Sequence, residues 1–296
     1  MHIGIAGVGT MGSNIGARLM EVGRKLTVWN RSAEKTKPLA DAGASVARTP
    51  AELASAVDAV ITILTNAEAI DAVYLGPQGL LAGDVKGKLF IEMSTVPPDV
   101  EVALAAKVRA KGGCYVECPV GGSVIPARGG KLLGLMGAEP ADAARARPIL
   151  DQICRRVMHA GPVGSGALLK LAVNLPLMIY WQALGEQLAM CQQLSIDPAE
   201  LLDFLSETSG AATVLKQRMP GIVSRLKNEP SKSSFTFSLD GGIKDVKAML
   251  AEAERRGLEL PLLQQTLACY EEAKRTLTGN DEVSNVAPYW ANRKKH

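Results

Sequence analysis

The chain has 296 residues, which is enough for two domains with a core each. Its formal net charge is +3, and Lys and Arg are dispersed along the sequence, which argues against a nucleic-acid-binding protein. The chain starts with a strand-like segment instead of a secretory leader, and its apolar run at residues 167–181 is shorter than the ~20 residues of a bilayer span. Five cysteines without a C-x-x-C pair fit reduced thiols. We therefore expect a cytoplasmic protein with no nucleic-acid and no membrane partner.

A glycine-rich motif follows the first predicted strand. Residues 2–6 form a short apolar strand that runs directly into GVGTMG, and a helical pattern over residues 13–22 follows. In a dinucleotide-binding turn, the first glycine makes the tight turn, the second lets the backbone approach a pyrophosphate, and the third lets the helix pack on the strand. A glycine turn without a ligand is the alternative. The predicted cofactor-binding residues of this loop are Gly7, Val8, Gly9, Thr10, Met11 and Gly12.

The end of the second predicted strand, residues 25–29, distinguishes between the two nicotinamide cofactors. An acidic residue there would hydrogen-bond the ribose 2′-hydroxyl of NAD, whereas this chain reads WNRSAEK. Asn30, Arg31 and Ser32 offer a cation and hydrogen-bond donors that suit a 2′-phosphate. The alternative is an arginine that stacks on adenine, which some NAD enzymes also tolerate. We therefore expect NADP(H) to be favoured over NAD(H).

Strand and helix patterns continue to alternate, as in a doubly wound, mostly parallel sheet. Residues 57–64 and 88–93 are near-continuous apolar strands of the kind that is buried on both faces. Ligands of such sheets bind just past the carboxyl ends of the strands. The residues expected at that edge are Leu64, Thr65 and Thr95 for the cofactor and Ser94 for the substrate.

A second glycine-rich segment, PVGGSVIPARGG, lies between predicted strands at residues 114–118 and 131–136. Consecutive backbone N–H groups of Gly121, Gly122 and Ser123 can form a concavity that suits a carboxylate. A plain connecting loop is the alternative. The segment therefore indicates a small-molecule substrate that carries a carboxylate.

After a last predicted strand at residues 157–160, helical patterns fill the chain, which predicts domains at residues 1–163 and 164–296. The first helix of the second domain, predicted from residue 165 to about residue 193, carries Lys170 in a mostly apolar stretch. Asn174 follows one turn later on the same face. Lysines are rarely buried without a partner or a task. Lys170 is therefore either a proton donor in a cleft or a side chain that extends its ammonium out of an apolar interface.

Taken together, these motifs resemble the β-hydroxyacid dehydrogenases, a family that includes 3-hydroxyisobutyrate dehydrogenase, tartronate semialdehyde reductase and the glyoxylate/succinic semialdehyde reductases. The resemblance covers nearly the whole chain and rests on four blocks in the family's order, GVGTMGSNIGARLMEVG, PVGGSVIPARGGKLLGLMG, GPVGSGALLKLAVN and IKDVKAMLAEA. It implies an α/β Rossmann domain joined through a long helix to an all-α domain, through which subunits form homodimers or homotetramers.

The resemblance also implies a role for each candidate residue. Lys170 would be the catalytic lysine, and Asn174 a substrate-orienting amide. Residues 121–123 would hold the substrate carboxylate. Thr95 would lie near the nicotinamide, and Lys244 would close over the cofactor from the helical domain.

Two positions depart from the family's pattern. The substrate loop usually reads P-V-S-G-G, whereas here Gly121 and Ser123 exchange the places of glycine and hydroxyl. The glyoxylate/succinic semialdehyde reductases are similar in having serine at the last place. The family often has two asparagines after the lysine, whereas here Val173 precedes a single Asn174. These departures bear on which substrate the chain takes.

The expected reaction is hydride transfer between NADP(H) and a short β- or γ-hydroxyacid or its semialdehyde, with Lys170 as general acid/base. The three histidines, His2, His159 and His296, fall at a strand start, a strand end and the terminus, and the sequence shows no metal-ligand cluster. Two alternatives stay open. One is an imine reductase of the same superfamily, in which another residue often replaces the lysine, and the other is a catalytically silent NADP-binding scaffold protein.

Overall fold

The computed structural model describes residues 1–230 and 237–293, so that His296 lies outside the described residues. The chain forms two compact units, Met1–Leu171 and Ala172–His296. The predicted boundary lay at residue 163. In the structure the chain passes from one unit to the other within a single long helix, which therefore contributes residues to both units.

The described strands of the first unit belong to one sheet. They are β1 (His2–Ala6), β2 (Lys25–Trp29), β3 (Ser45–Val46), β4 (Ala59–Thr62), β5 (Leu89–Glu92), β6 (Cys114–Glu117), β7 (Val120–Gly121), β8 (Leu132–Gly137) and β9 (Cys154–Gly161). Their order is β3-β2-β1-β4-β5-β6-β8-β7, and β9 pairs with β8. The pairs from β3 to β6 are all parallel, whereas β8 runs antiparallel to β6 and β7.

Helices cover both faces of this sheet. In chain order they are α1 (Thr10–Glu21), α2 (Lys37–Asp41), α3 (Pro50–Ala56), α4 (Ala67–Leu75), α5 (Pro98–Ala110), α6 (Val124–Arg128) and α7 (Pro140–Ile153). Successive strand residues point to opposite faces, so that Ile61 belongs to one apolar cluster, and Val60 and Phe90 to another. Burial on both faces confirms the predicted doubly wound, mostly parallel sheet.

Among its described residues, the second unit consists of helices joined by turns and loops, with an isolated bridge between Ser238 and Glu282. Its helices are the end of α8 (Ser165–Met190), α9 (Pro198–Ser206), α10 (Leu215–Leu226), α11 (Leu239–Arg255), α12 (Pro261–Ala273) and α13 (Val286–Asn292). The Asp197 side chain accepts the N–H of Ala199 and so caps α9, as Asp before Pro predicts. The predicted all-α second domain is thus confirmed.

Helix α8 is longer than the apolar run that marks it in the sequence. It has 26 residues and continues through Pro176. By length and composition alone it is long and apolar enough to cross a membrane, which the apolar run at residues 167–181 was not. Within the protein, 39% of its most apolar stretch is buried, and core helices of globular proteins meet the same test.

The sequence patterns missed the two shortest strands. Both β3 and β7 have two residues, which is too short for an alternating pattern to show. Pro119 interrupts the chain between β6 and β7, so the two strands do not form one continuous strand pattern. The antiparallel pairing of both strands with β8 was therefore not predicted. The helical pattern of the sequence extends over residues 211–226, whereas α10 begins at Leu215 and the four residues before it form a bend and a turn.

Candidate active site

The three glycines of the turn after β1 differ in the space around them. Gly7 has a φ of +100°, and a Cβ there would lie 2.4 Å from the carbonyl oxygen of Ile63. A Cβ on Gly12 would lie 2.0 Å from the carbonyl oxygen of Gly7. By contrast, a Cβ on Gly9 would meet no atom of the described residues within 4 Å. The fold therefore requires Gly7 and Gly12, whereas Gly9 borders open space in which a pyrophosphate fits.

Asn30 holds this turn against the end of β2. The N–H of Val8 donates to Oδ1 of Asn30 at 3.0 Å, and Nδ2 of Asn30 donates to the carbonyl oxygen of Ser32 at 2.9 Å. Arg31 is exposed beside it. Within the part of the chain that the structure describes, no side chain caps the start of α1. The N–H groups at this helix end are thus oriented for an anion, and the residues present fit a dinucleotide phosphate.

A hydrogen-bond chain joins the loops that follow β4 and β5. The N–H of Leu64 donates to Oγ of Ser94, and the N–H of Ser94 donates to Oε1 of Glu92, both at 2.7 Å. Ser94 is 2% exposed, whereas Thr65 is exposed and Thr95 is half-buried. Ser94 therefore connects the two loops, and Thr65 and Thr95 are the more accessible hydroxyls at this edge.

Glu92 is a buried acid that the sequence analysis did not select. Its side chain is fully buried, and Oε2 accepts a hydrogen bond from Oγ1 of Thr62, which lies 2.8 Å from the hydroxyl of Tyr74. Burial raises the pKa of Glu92 to about 7, although hydrogen bonds from Ser94 and Thr62 oppose the shift. The available signal was a lone acidic residue near the end of the apolar segment KLFIEM, where a strand buried on both faces leaves no exposed side for it.

Glu92 makes the stability of the protein depend on pH. Because the pKa of Glu92 is raised from 4.5 to about 7, the folded chain holds more protons than the unfolded chain between these values. The free energy of unfolding therefore falls as the pH rises through this window. We expect Glu92→Gln to remove roughly 3 kcal/mol of that decline, as urea unfolding at about pH 5 and about pH 8 would measure. An unchanged decline in the variant would contradict the assignment.

Residues 121–123 form the turn between β7 and α6. Gly121 ends β7 and pairs with Leu133, and Ser123 is the residue before α6. Gly122 has a φ of +122°, and a Cβ there would lie 2.9 Å from Cδ2 of Leu132, so glycine is required. A Cβ on Gly121 would make only ordinary contacts, the nearest at 3.5 Å. Crowding therefore does not explain why Gly121 stands where the family usually has serine.

Lys170 lies in the second turn of α8 and belongs to the first unit. The residue is 9% exposed. The turn before the helix uses Gly161 and Gly164 with φ values of +140° and +99°. The structure thus places this lysine in the same compact unit as the glycine turn after β1 and the turn at residues 121–123.

The remaining candidates, Asn174 and Lys244, belong to the second unit. Nδ2 of Asn174 donates to Oδ2 of Asp245 at 3.3 Å. Oδ1 of Asp245 lies 3.1 Å from Nζ of Lys244, and the Asp245 side chain is 2% exposed. Asp245 therefore holds both candidates of this unit, a role that the sequence analysis did not assign to it. The signal was its place beside Lys244 in the block IKDVKAMLAEA.

The two described histidines have structural contacts. Nε2 of His2 lies 2.8 Å from Oγ1 of Thr27, and Nε2 of His159 lies 2.8 Å from the carbonyl oxygen of Ala138. Burial lowers the pKa of His2. Among residues 1–230 and 237–293, no group of three or more His, Cys, Asp and Glu side chains is arranged to hold a metal ion.

Comparisons with known proteins match both units. Residues 2–161 match the family model described as the NAD binding domain of 6-phosphogluconate dehydrogenase. Residues 164–290 match the model described as NAD-binding of NADP-dependent 3-hydroxyisobutyrate dehydrogenase. Glyoxylate/succinic semialdehyde reductase 1 of Arabidopsis thaliana is 30% identical over 288 residues, which cover 97% of each chain.

Two solved structures share the fold. The 3-hydroxyisobutyrate dehydrogenase of Salmonella typhimurium has a TM-score of 0.88 at 22% identity and covers 97% of this chain and 99% of its own. The imine reductase of Myxococcus stipitatus, solved with NADP+, has a TM-score of 0.64 at 18% identity and covers 98% and 99%. With a dinucleotide turn, a lysine-bearing α8 and family models over both units, the chain belongs to the β-hydroxyacid dehydrogenase family and is an NAD(P)-dependent oxidoreductase.

Proposed function

We propose that this enzyme reduces a short aldehyde or keto acid to the hydroxyacid with NADPH, and that Lys170 is its general acid. The observation that carries the proposal is the placement of a 9% exposed lysine in one compact unit with the open turn at Gly9 and the glycine turn at residues 121–123. The glyoxylate/succinic semialdehyde reductase relative supports glyoxylate or succinic semialdehyde as substrate, and 3-hydroxyisobutyrate chemistry is the other member of the same class.

In the proposed reaction, separate residues transfer the proton, bind the substrate carboxylate and orient the substrate. When bound, the nicotinamide supplies the hydride. The ammonium of Lys170 polarises the carbonyl oxygen and gives it the proton, and in the reverse direction the amine takes the proton back. Backbone N–H groups of residues 121–123 hold the substrate carboxylate. Asn174, held by Asp245, orients the substrate.

A substrate panel tests the proposal. We expect NADPH oxidation with glyoxylate, succinic semialdehyde, tartronate semialdehyde or methylmalonate semialdehyde, and little or none with a cyclic imine. The imine is included because an imine reductase shares the fold, and faster turnover of the imine would favour that activity. Absence of turnover with the entire panel would instead favour a silent NADP-binding protein.

We expect Arg31 to set the preference for NADPH. Arg31 is exposed beside the end of β2, where the 2′-phosphate of the adenosine ribose would lie. Arg31→Ala removes charge-assisted hydrogen bonds to that phosphate, so the KM for NADPH should rise by about tenfold or more. The KM for NADH should stay within about twofold, because NADH lacks the phosphate. Preference of the wild-type enzyme for NADH would contradict this assignment.

We also propose a cytoplasmic homodimer or homotetramer. Several large apolar side chains of the second unit are exposed, among them Phe204 at 71% and Leu262 at 69%. Exposed apolar side chains of this size support a surface that a second copy covers. The five cysteines are free thiols, which supports a reducing compartment. Light scattering of the purified protein would test the oligomer, and a monomer at micromolar concentration would contradict it.

A further inference from the structure

A buried carboxylate fastens the beginning of the helix that carries Lys170. Glu117 is the last residue of β6 and is fully buried. Its Oε1 accepts the N–H groups of Gly164 and Gly166, each at 2.7 Å. These donors belong to the residue before α8 and to its first turn. A side chain of the sheet thus takes up N–H groups that a helix start otherwise leaves without a partner.

Glycines bring this helix start onto the sheet. A Cβ on Gly166 would lie 2.3 Å from the carbonyl oxygen of Leu135 in β8. A Cβ on Gly137, the residue that pairs with Glu117, would lie 2.0 Å from Oε1 of Glu117. The first turn of α8 therefore rests directly on the ends of β6 and β8. Lys170 follows Gly166 by four residues, about one turn along the same rigid helix.

The attachment of α8 to β6, through the hydrogen bonds from Gly164 and Gly166 to Glu117, depends on the charge of Glu117. An ionised carboxylate accepts stronger hydrogen bonds and suits the positive end of a helix. Among the described residues Oε2 of Glu117 has no hydrogen-bond partner, so a proton placed there would be a buried donor without an acceptor. A proton on Oε1 would oppose the two N–H donors. Protonation therefore weakens the attachment of α8 in either form.

The surroundings of Glu117 place its titration near neutral pH. Burial raises the pKa of Glu117 to about 7, although hydrogen bonds from the helix start lower it. Two further acids lie around it, Glu92 on β5 and Glu101 on α5, and the charge of Glu92 raises the pKa of Glu117 further. From β8 it meets Gly137, and from α8 backbone N–H groups. On β9, His159 contacts the carbonyl oxygen of Ala138 instead.

We infer that Glu117 is a positioning residue, whose ionised carboxylate sets the first turn of α8 and thereby holds Lys170 where proton transfer requires it. The inference rests on the proposed role of Lys170 as general acid. Glu117 itself is fully buried, and in this positioning role it touches neither substrate nor cofactor. Loss of its charge should therefore lower kcat and leave the binding of NADPH unchanged.

The pH profile of kcat tests this inference. For the wild-type enzyme we expect kcat to fall as the pH drops below about 7, with a midpoint that matches the titration of Glu117. Glu117→Gln cannot ionise, so it should have a lower kcat, by about tenfold, and no acid limb. Glu92→Gln serves as the control. In this variant kcat should still fall at low pH, but the midpoint of that fall should lie at lower pH, because a negative charge near Glu117 is lost. An acid limb that persists unchanged in Glu117→Gln would overturn the inference.

A second measurement uses only the wild-type protein, in case the glutamine variant does not fold. With glycine labelled by 15N, the amide signals of Gly164 and Gly166 report on the carboxylate that they contact. We expect both to titrate with a midpoint near the one seen in kcat, and absence of titration, or a midpoint at the ordinary 4.5, would overturn the inference.

If no aldehyde acid is reduced while both amides titrate, the proposed function fails and with it the positioning role. If reduction occurs and the two midpoints differ, only the inference about Glu117 fails.

Discussion

Lys170→Ala should lower kcat for the best aldehyde acid by about 100-fold or more, the scale of a lost general acid. The two described histidines are the usual alternative acids, and both have structural contacts. His2 and His159 are engaged with Thr27 and the Ala138 carbonyl. Steady-state kinetics at saturating NADPH measure the effect, and titration of NADPH fluorescence shows whether the cofactor still binds.

Lys170→Arg is the matched control, because it keeps a cation but replaces the ammonium by a guanidinium that does not release its proton in proteins. We expect it to bind NADPH as the wild type does and to remain as slow as the alanine variant within about tenfold. A fall in kcat of less than about tenfold in Lys170→Ala would show that the lysine is not the acid.

Gly12→Ala should destabilise the first unit by about 3 kcal/mol or more, because a Cβ at that position would lie 2.0 Å from the carbonyl oxygen of Gly7. The overlap is with backbone, so no side chain can turn away to relieve it, and α1 must move off β1. Urea unfolding followed by circular dichroism measures the loss.

Gly9→Ala is the control from the same turn, and it should do the opposite. Its Cβ would meet no atom of the described residues within 4 Å, so the unfolding midpoint should stay unchanged. The methyl group would instead occupy the space left for the pyrophosphate, and the Kd for NADPH should rise by about tenfold or more. Equal stability of the two variants, or tight NADPH binding by Gly9→Ala, would contradict the roles given to these glycines.

Much of the fold follows from local patterns in the sequence. The apolar strands and the strand–glycine–helix succession predict the doubly wound sheet, because each element must bury a face and parallel strands need helical crossovers. Prolines at helix starts and Asp197 before Pro198 mark the helices well. Lys170 was predicted as a site residue because a single cation interrupts an apolar helix, a contrast that is visible in the sequence.

Local sequence patterns could not predict the cluster of three buried glutamates in the first unit. Glu92, Glu101 and Glu117 lie on two strands and a helix, and only the sheet brings them together, through the pairing of Glu92 with Glu117. Asp245 likewise gains its contact with Asn174 from residues 71 positions apart in the chain. A sequence pattern reports only which residues are neighbours within the same helix or strand. Contacts of this kind depend on packing between elements, which local spacing does not encode.

The most direct test compares two substrates that differ only in the carboxylate. NADPH oxidation by the wild-type enzyme is measured with succinic semialdehyde and with butyraldehyde. If residues 121–123 hold a carboxylate while Lys170 protonates the carbonyl oxygen, kcat/KM should be about 100-fold or more higher for succinic semialdehyde, the value of two charge-assisted hydrogen bonds. Equal values for the two aldehydes, or no NADPH oxidation with succinic semialdehyde and the other aldehyde acids, would contradict the account.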